Sequence, residues 1–447
     1  MIDSSRAFGL LKLLAALAVF GWSLSFLGYS ADYEQVLRQF KGEKALFVED
    51  YLSNEFGGMF DGSAMSAHCA SRNWTKGLLF HCEPPAGGIG QVRNAQLNCI
   101  RFAMEAGAEL IVPEIIRRSD VDISVIIPQS KGTSRGSPLD YYFDKEYFNW
   151  TMSTACPQMK LHWSINDFWN VPMGNPIVMS INELGLTLVN GTIIENPKQF
   201  STSFDSFFET RTNPKTRTWP FRVIVSQNPY AWPTAYDPPA FVRSFGRLLR
   251  YRVDARQLAA SAMHTLHRQW IKPQSNLKAK AAGHHGYVGV HLRTEKDVQG
   301  THYPQYEVQA AYYLEYIVRS PFRIAYLASG TTAEHIRAFT TRAQEFNITV
   351  LTKKDLLDPE ELQYLKGLSW DQQAIVDFDM MLRANLMAGI SESNFAWTVA
   401  LKRAASGGAI GGYQPVPREE YIRWQDDFST LYGHPGSQLE MQYSIWP

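Results

Sequence analysis

The sequence has no excess of either charge, because its 447 residues include 43 basic and 43 acidic side chains. This balance offers no overall attraction to nucleic acid, so any anion site must be a local feature of the fold. Cysteine is scarce as well, and the four cysteines form neither a CxxC pair nor a Cys/His cluster with zinc spacing. No repeat of the solenoid kind is present. These absences exclude the common zinc motifs and repeat arrays.

Aromatic residues, in contrast, make up 13% of the chain, with 12 Trp and 21 Tyr. They fit clefts that bind sugars or bases, and a large core explains them equally well. The length of the chain allows more than one domain.

An apolar segment near the N-terminus predicts a membrane anchor. Leu13–Leu27 contains no charged residue, and counting from Ala7 gives about the ~20 residues that a membrane-spanning helix needs. Arg6 and Lys12 precede the run, so the positive-inside rule places the N-terminus in the cytosol and the rest in the lumen. We expect residues 1–30 to form a cytosolic tail and a transmembrane signal-anchor. The protein would be a single-pass type II protein of the Golgi or endoplasmic reticulum membrane.

A cleaved signal peptide is the alternative, because Gly28 and Ser30 are small residues suited to a cleavage site. Either segment directs the chain into the secretory pathway. Four N-glycosylation acceptors agree with a lumenal location: Asn73, Asn149, Asn190 and Asn347. Four cysteines allow three disulfide pairings, and we expect Cys69–Cys82 first because it encloses a short loop.

The rest of the chain alternates between strand-like and helix-like segments, which predicts an α/β fold with parallel sheets. A first set holds strands at 78–80, 110–112, 123–127 and 221–225 and a helix at 91–106. After a helical stretch at 241–270 and a polar linker, a second set holds strands at 286–292, 323–328 and 348–352 and helices at 305–318, 332–346 and 371–389. We therefore expect two Rossmann-like domains that face each other across a cleft. The predicted divisions are 31–75 for a stem, 76–245 for the N-terminal domain, 246–285 for a helical bridge with the linker, and 286–447 for the C-terminal domain.

The strongest candidate site is the segment Gly286–Asp297. It starts as an apolar strand, and its second half contains His291, Arg293, Glu295 and Asp297. These four side chains project to one side if the backbone stays extended. Ligands of open α/β sheets bind at the carboxyl ends of strands, and an arginine there suits a phosphate or carboxylate. An Arg–carboxylate ion pair at a domain edge is the structural alternative.

A glycine-rich turn, Gly87-Gly88-Ile89-Gly90, follows the first strand and opens a helix. Backbone amides at such a helix start favour anions. The turn is neither a G-x-G-x-x-G fingerprint, since Arg93 occupies the last position, nor a P-loop. A tight turn without a ligand has the same sequence.

Other segments give weaker signals. Tyr326–Gly330 ends a strand with small residues, and Ser391–Trp397 places hydroxyl and amide groups after a helix. Two D-x-D pairs, Asp120/Asp122 and Asp377/Asp379, are weak metal signals, and side chains two apart on a helix do not face each other. We predict no metal site.

Together and in this order, these segments resemble the GDP-fucose protein O-fucosyltransferase superfamily, in its fungal and plant branch. The resemblance rests on five segments: Gly87–Gln91, Tyr142–Phe148, Gly289–Arg293, Tyr326–Gly330 and Asp377–Phe395. It implies a GT-B fold, a GDP-sugar donor, no metal and inversion at the anomeric carbon. The C-terminal domain would then bind the donor and the N-terminal domain the acceptor.

The resemblance also implies roles for individual residues. Arg293 would contact the β-phosphate and the glycosidic oxygen, His291 and Asp297 would line the donor pocket, and Asp377 would contact the guanine or ribose. Ser393 and Asn394 would hold the diphosphate, and Phe395, Gly88 and Gly90 are further residues expected to bind GDP-fucose.

The chain departs from the family at two places. Gly90 occupies the position where the family's Gly-Gly-x-Asn-Gln turn has Asn, and Asn94, one helical turn later, is a candidate substitute. Asn394 replaces the second serine of the family's Ser-Ser-Phe. Glu83 and Glu295 are candidates for a general base, although the reaction can also proceed without one.

We therefore expect a glycosyltransferase that moves fucose from GDP-fucose to a hydroxyl of a protein or glycan. Two alternatives are a non-catalytic lumenal protein that binds a GDP-sugar or carbohydrate, and an enzyme similar to the α1,6-fucosyltransferases, which act on glycans.

Overall fold

The computed structural model describes residues 42–127, 136–226, 230–272, 285–414, 416, 420–435 and 439–447. The chain divides between Ser53 and Asn54 into two units. The first contributes helix α1 (Glu43–Ser53). The predicted anchor at residues 1–30 lies outside the described part of the chain. Within that described part, no helix is both long and apolar enough to cross a bilayer.

The second unit contains two large sheets. The first has five parallel strands in the order β3-β2-β1-β7-β4. Its strands are β1 (Leu78–Cys82), β2 (Glu109–Ile111), β3 (Leu161–His162), β4 (Ile177–Met179) and β7 (Phe221–Val225). Strand β1 is central, since Phe80 pairs with Leu110 on one side and Val223 on the other. Its apolar sequence is typical of a strand covered on both faces.

Helices accompany this first sheet. They are α2 (Ser63–Ala70), α3 (Ile89–Glu105), α4 (Lys145–Ala155), α5 (Phe200–Arg211) and α6 (Pro239–Phe245), with a small two-stranded sheet of β5 (Leu188–Val189) and β6 (Ile193–Ile194). Helix α3 connects β1 to β2, and nearly all of its residues are buried. It ends before Gly107, whose φ of +59° suits the turn that follows a helix. Helix α7 (Val253–Thr265) continues into a π-helical turn at Leu266–Ile271.

The second sheet has seven strands in the order β10-β9-β8-β11-β14-β13-β12. Its strands are β8 (Val288–His291), β9 (Ile324–Ala328), β10 (Thr349–Leu351), β11 (Leu386–Ile390), β12 (Gly412–Gln414), β13 (Ile422–Gln425) and β14 (Ser429–Gly433). The first five strands in the order are parallel, and β13 and β12 add an antiparallel edge.

The second sheet has its own set of helices. They are α8 (Tyr306–Arg319), α9 (Ala333–Gln344), α10 (Lys353–Leu356), α11 (Pro359–Gly367), α12 (Trp370–Leu382), α13 (Asn394–Gly407) and α14 (Leu439–Ser444). Val288 and Val290 of β8 are fully buried, together with Leu314 of α8 and Phe339 of α9. The two parallel sheets confirm the α/β class, while the predicted domain boundaries stay predictions.

Three predicted elements are wrong. The helix predicted at 371–389 ends at Leu382, because the apolar run 386–390 forms strand β11 between β8 and β14. Periodicity alone does not separate a short apolar strand from the end of a buried helix. The guanidinium of Arg403 donates to the carbonyls of Leu382 and Ala384, where the helix gives way to the strand.

The strand predicted at 123–127 is a turn. The Asp122 carboxylate accepts hydrogen bonds from the amide and hydroxyl of Ser124, and Val125 and Ile126 are half exposed. The helical stretch predicted at 241–270 is likewise broken, because α6 ends at Phe245 and α7 begins at Val253.

The expected Cys69–Cys82 pairing is also wrong. The disulfides join Cys69 to Cys156 and Cys82 to Cys99, with Cα–Cα distances of 5.6 and 6.0 Å. Cys69 is in α2 and Cys156 follows α4, and these two helices pack together. Cys82 ends β1 and Cys99 lies in α3, the helix that follows it. Tertiary packing therefore decides the pairing, and proximity in the sequence does not.

Candidate active site

A cavity of about 490 Å³ lies between the start of α3 and the second sheet. Residues at or just after the carboxyl ends of β8, β9 and β10 line it, as do the first residues of α12 and α13. Its size falls within the range of small-molecule sites, and it lies where parallel α/β sheets bind their ligands. We refer to it as the main cavity.

Arg293 lies at the centre of the charged groups in the main cavity. Its guanidinium donates to Glu295 and Asp297, each at 2.6 Å. The amide and carbonyl of its backbone bond to the side chain of Gln309, which fixes the chain just after β8. Burial lowers the pKa of Arg293, but the two carboxylates outweigh burial and raise the pKa above its ordinary value. Arg293 is therefore a fixed positive charge.

His291, the last residue of β8, is buried beside Arg293. Burial lowers the pKa of His291 to about 3, and the charge of Arg293 adds to this shift. Its ring centroid lies 4.4 Å from that of Phe395. The imidazole is thus neutral at physiological pH and forms part of the wall.

A second ion pair lies deeper in the second sheet. Lys353, the first residue of α10, donates to Asp377 at 2.5 Å, and the Tyr326 hydroxyl donates to the other carboxylate oxygen at 2.7 Å. Burial raises the pKa of Asp377, and Lys353 opposes this shift. The carboxylate is held by two donors and faces the main cavity.

The start of α13 forms another part of the wall, with Ser393, Asn394 and Phe395. The Ser393 hydroxyl caps the helix by accepting from the amide of Ala396 at 3.3 Å. The Asn394 side-chain oxygen accepts from the Tyr230 hydroxyl at 2.5 Å. Amide groups at a helix start favour an anion, so this end suits phosphate oxygens.

The glycine turn forms the opposite wall, and Gly90 is there for a steric reason. A Cβ at Gly90 would lie 2.9 Å from the carbonyl carbon of Asn394 and 3.0 Å from the amide nitrogen of Phe395. The backbones of the two walls therefore touch, which leaves no room for the asparagine found in the related turn. Gly88 lines the same wall.

Two predicted site residues are not brought to the main cavity. Glu83 follows β1, is exposed, and does not line the cavity. Asn94 is fully buried in α3, where its side-chain oxygen accepts from the amide of Trp446 at 3.0 Å. Asn94 therefore holds the C-terminal segment in place and is no substitute for the missing asparagine. All the other predicted residues line the cavity: Gly88, Gly90, His291, Arg293, Glu295, Asp297, Asp377, Ser393, Asn394 and Phe395.

The D-x-D carboxylates take part in other contacts. Asp120 accepts from the amide of Trp370 at 2.7 Å, and Asp122 pairs with Lys296. Among the described residues, no cluster of three or more His, Cys, Asp or Glu side chains has a geometry that could hold a metal ion.

Sequence reasoning missed Arg118 and Lys353. Arg118 reaches the cavity from the loop after β2 and donates to Asp371, which is 253 residues away in the chain, at 2.5 and 3.2 Å. Two arginines soon after a buried strand could have drawn attention to this loop. Lys353 follows the carboxyl end of β10, just as Arg293 follows that of β8, so the same reasoning could have found it.

Three solved structures are similar to the chain, each with a low TM-score. POFUT1 in complex with GDP is 13% identical at a TM-score of 0.40, covering 75% of this chain and 97% of that one. POFUT1 in complex with GDP-fucose is 12% identical at 0.41, with the same coverage. A variant of Arabidopsis thaliana FUT1 with GDP is 10% identical at 0.37, covering 80% of this chain and 74% of that one.

No curated protein sequence matches the chain. The model of one family, GDP-fucose protein O-fucosyltransferase, matches residues 78–406. That match spans most of the chain and includes every residue of the main cavity. The chain belongs to the GDP-fucose protein O-fucosyltransferase family and is a GDP-fucose-dependent fucosyltransferase.

Proposed function

We propose that this enzyme transfers fucose from GDP-fucose to a hydroxyl of a protein or glycan acceptor, with inversion at the anomeric carbon and without a metal ion. The observation that carries the proposal is Arg293, a fixed positive charge in the main cavity at the carboxyl end of β8. The two sheets on either side of the cavity support a GT-B arrangement, with the donor held by the second sheet.

The charge of Arg293 suits the chemistry of this transfer. The bond between the fucose anomeric carbon and the β-phosphate oxygen breaks, and GDP leaves with that electron pair. The acceptor oxygen forms the new bond from the opposite face of the sugar and loses its proton. An arginine aimed at the departing oxygen stabilises the growing negative charge more than it stabilises the bound donor.

A general base would take the proton of the acceptor. Of the two candidates, Glu295 lines the main cavity and Glu83 does not. One oxygen of Glu295 accepts from the amide of Gly330 at 2.8 Å and the other from Arg293. If Arg293 turns toward the phosphate, the second oxygen is freed to accept a proton within the main cavity. We therefore favour Glu295.

Metal-independent transfer is supported by a cation that faces the main cavity. Arg293 offers charged donors to a diphosphate, the role that a divalent cation fills in other enzymes. The carboxylates of Asp120 and Asp122 already accept from an amide and an ammonium group of the protein.

We also propose that the enzyme is lumenal, with residues 1–30 as a signal-anchor of a type II protein. Two features support an oxidising, glycosylating compartment. The described cysteines form two disulfides, and the predicted glycosylation sites Asn73, Asn149, Asn190 and Asn347 are exposed.

The test is a donor screen on the purified full-length enzyme in detergent. GDP-fucose should be turned over faster than GDP-mannose or UDP-sugars, with equal rates in EDTA and in Mg²⁺. NMR should show that the anomeric configuration of fucose in the product is opposite to its configuration in the donor, as inversion requires. A product with the donor's configuration, or a rate abolished by EDTA, would contradict the proposal.

A further inference from the structure

The formal charges that line the main cavity cancel. Among its described residues, four cations, Arg118, Arg293, Lys353 and Lys354, face four carboxylates, Glu295, Asp297, Asp371 and Asp377. A GDP-sugar brings two negative charges on its diphosphate. The cavity therefore has no net positive charge for the donor, and a cation that exchanges a carboxylate for a phosphate would supply one.

Arg118 is placed for this exchange. Its guanidinium forms two hydrogen bonds with Asp371 and a longer one, 3.4 Å, with Asp297. A Cβ on Gly88 would lie 3.4 Å from Arg118 Nη2, so the guanidinium lies against the glycine turn. Arg118 is thus the cation that the first half of the chain brings to the wall opposite Arg293.

The other cations are less available. Lys353 donates both to Asp377 and to the carbonyl of Gln373, and Lys354 is exposed. Arg293 is already assigned to the departing oxygen. Arg118, which is half-buried, is the remaining cation among the residues described at this cavity.

Asp371 can release Arg118 at modest cost because of its position. It lies in the first turn of α12, where the helix dipole favours a negative charge. The loop itself need not move, because Asp120 accepts from the amide of Trp370 and Asp122 pairs with Lys296. The exchange then requires only a rotation of the Arg118 side chain.

We propose that Arg118 is a second donor-binding arginine, which pairs with Asp371 before the donor binds and with the diphosphate afterwards. This inference rests on the proposed function, because it takes a GDP-sugar as the ligand. It makes Asp371 a competitor of the donor, so that removing the Asp371 charge should strengthen donor binding.

The test measures GDP binding to the full-length protein by calorimetry. Arg118→Met should weaken GDP binding by about tenfold or more, the usual effect of one charge-assisted hydrogen bond. Asp371→Asn should tighten it by at least about twofold, a gain that a misfolded protein cannot produce. The matched control is Arg117→Met, which removes the same charge one residue away, outside the cavity lining.

Three outcomes would overturn the inference. If Arg118→Met and Asp371→Asn lower the melting temperature equally and leave GDP binding unchanged, the Arg118–Asp371 pair only stabilises the contact between the two walls. If Arg117→Met weakens binding as much as Arg118→Met, the weaker binding results from the lower positive charge of the protein and not from the loss of a specific contact. If the wild-type protein binds no GDP, the proposed donor site fails together with the inference, whereas the first two outcomes leave that site intact.

Discussion

The two walls of the main cavity differ in kind. The second-sheet wall carries a dense set of charges, which includes Arg293, Asp297 and the Lys353–Asp377 pair. The first-sheet wall offers the uncharged turn 86–91 and a single cation, Arg118. The chemistry is thus concentrated at the ends of the second set of strands, while the first wall contributes shape through close backbone contact.

The central strands β1 and β8 show the same contrast. Both are buried, and His81 and His291 lie at or near their carboxyl ends. His291 faces the cavity and is followed by charged residues. His81 does not line the cavity, and the Cys82–Cys99 disulfide ties the end of β1 to helix α3. Both disulfides lie in the first half, and the second half contains no cysteine.

The largest effect should come from breaking these covalent links. Replacing Cys69 and Cys156 by alanine together should lower the free energy of unfolding by roughly 4–5 kcal/mol, because the link closes a loop of 87 residues. Replacing Cys82 and Cys99 should cost about 3 kcal/mol, since that loop spans 17 residues. Urea unfolding measures both. The reverse order would show that loop length does not govern the stability of this half.

The second prediction concerns the charged wall. Arg293→Ala should reduce kcat by several hundred-fold, or roughly 3–4 kcal/mol, because it removes the donor aimed at the departing oxygen. The control is Arg319→Ala, which removes an exposed arginine paired with Glu315 at the end of α8. Circular dichroism should show that both variants fold. Near-normal turnover by Arg293→Ala would mean that the charged wall is not the catalytic one.

The third prediction separates the candidate bases of the two walls. Glu295→Gln should lower kcat by about a hundredfold, the usual contribution of a general base, with GDP binding retained. Glu83→Gln should leave kcat unchanged, because Glu83 is exposed and lies outside the cavity. If Glu83→Gln lowers kcat and Glu295→Gln does not, Glu83 is the general base. Full activity in both variants would indicate transfer without a base.

Strands were predicted best where a short apolar run has clear ends. The predicted strands 221–225, 323–328 and 348–352 match β7, β9 and β10 to within one residue at each end. Strand β11 was missed, because its apolar run closely follows that of a buried helix. In the first half, 123–127 resembles a strand in composition, but its apolar side chains remain half exposed. A local sequence pattern predicts burial correctly only where another part of the tertiary structure packs over the segment.

The site was predictable where its residues are neighbours in the sequence. His291, Arg293, Glu295 and Asp297 reach one cavity because they follow one strand. Arg118 could not be assigned in this way, because its partner Asp371 is 253 residues away. Asn94 failed for the same reason, since its contact with Trp446 spans 352 residues and no local pattern records it.

The fourth prediction tests the shape of the first wall. Gly90→Asn restores the residue usual in the family, but its Cβ would meet the backbone of Asn394 and Phe395. We expect a loss of about 1–3 kcal/mol in the free energy of unfolding, together with reduced activity. Gly412→Asn is the control, because nothing lies within 4 Å of a Cβ there. If the Gly90→Asn enzyme is as stable as the wild type, the backbone at Asn394 and Phe395 can shift to make room for the new side chain.

The smallest effect concerns the buried histidine of the charged wall. The folded protein keeps His291 neutral, with a pKa of about 3, whereas the unfolded chain protonates it near pH 6.5. Unfolding therefore takes up a proton below pH 6.5, and stability falls as the pH drops from there toward 3. Between pH 6.5 and 5.5 this amounts to ~1 kcal/mol, which His291→Asn should remove from the pH dependence of urea unfolding. An unchanged slope would mean that His291 has the same pKa in the folded and the unfolded protein, so that the second wall gains a positive charge as the pH falls below 6.5.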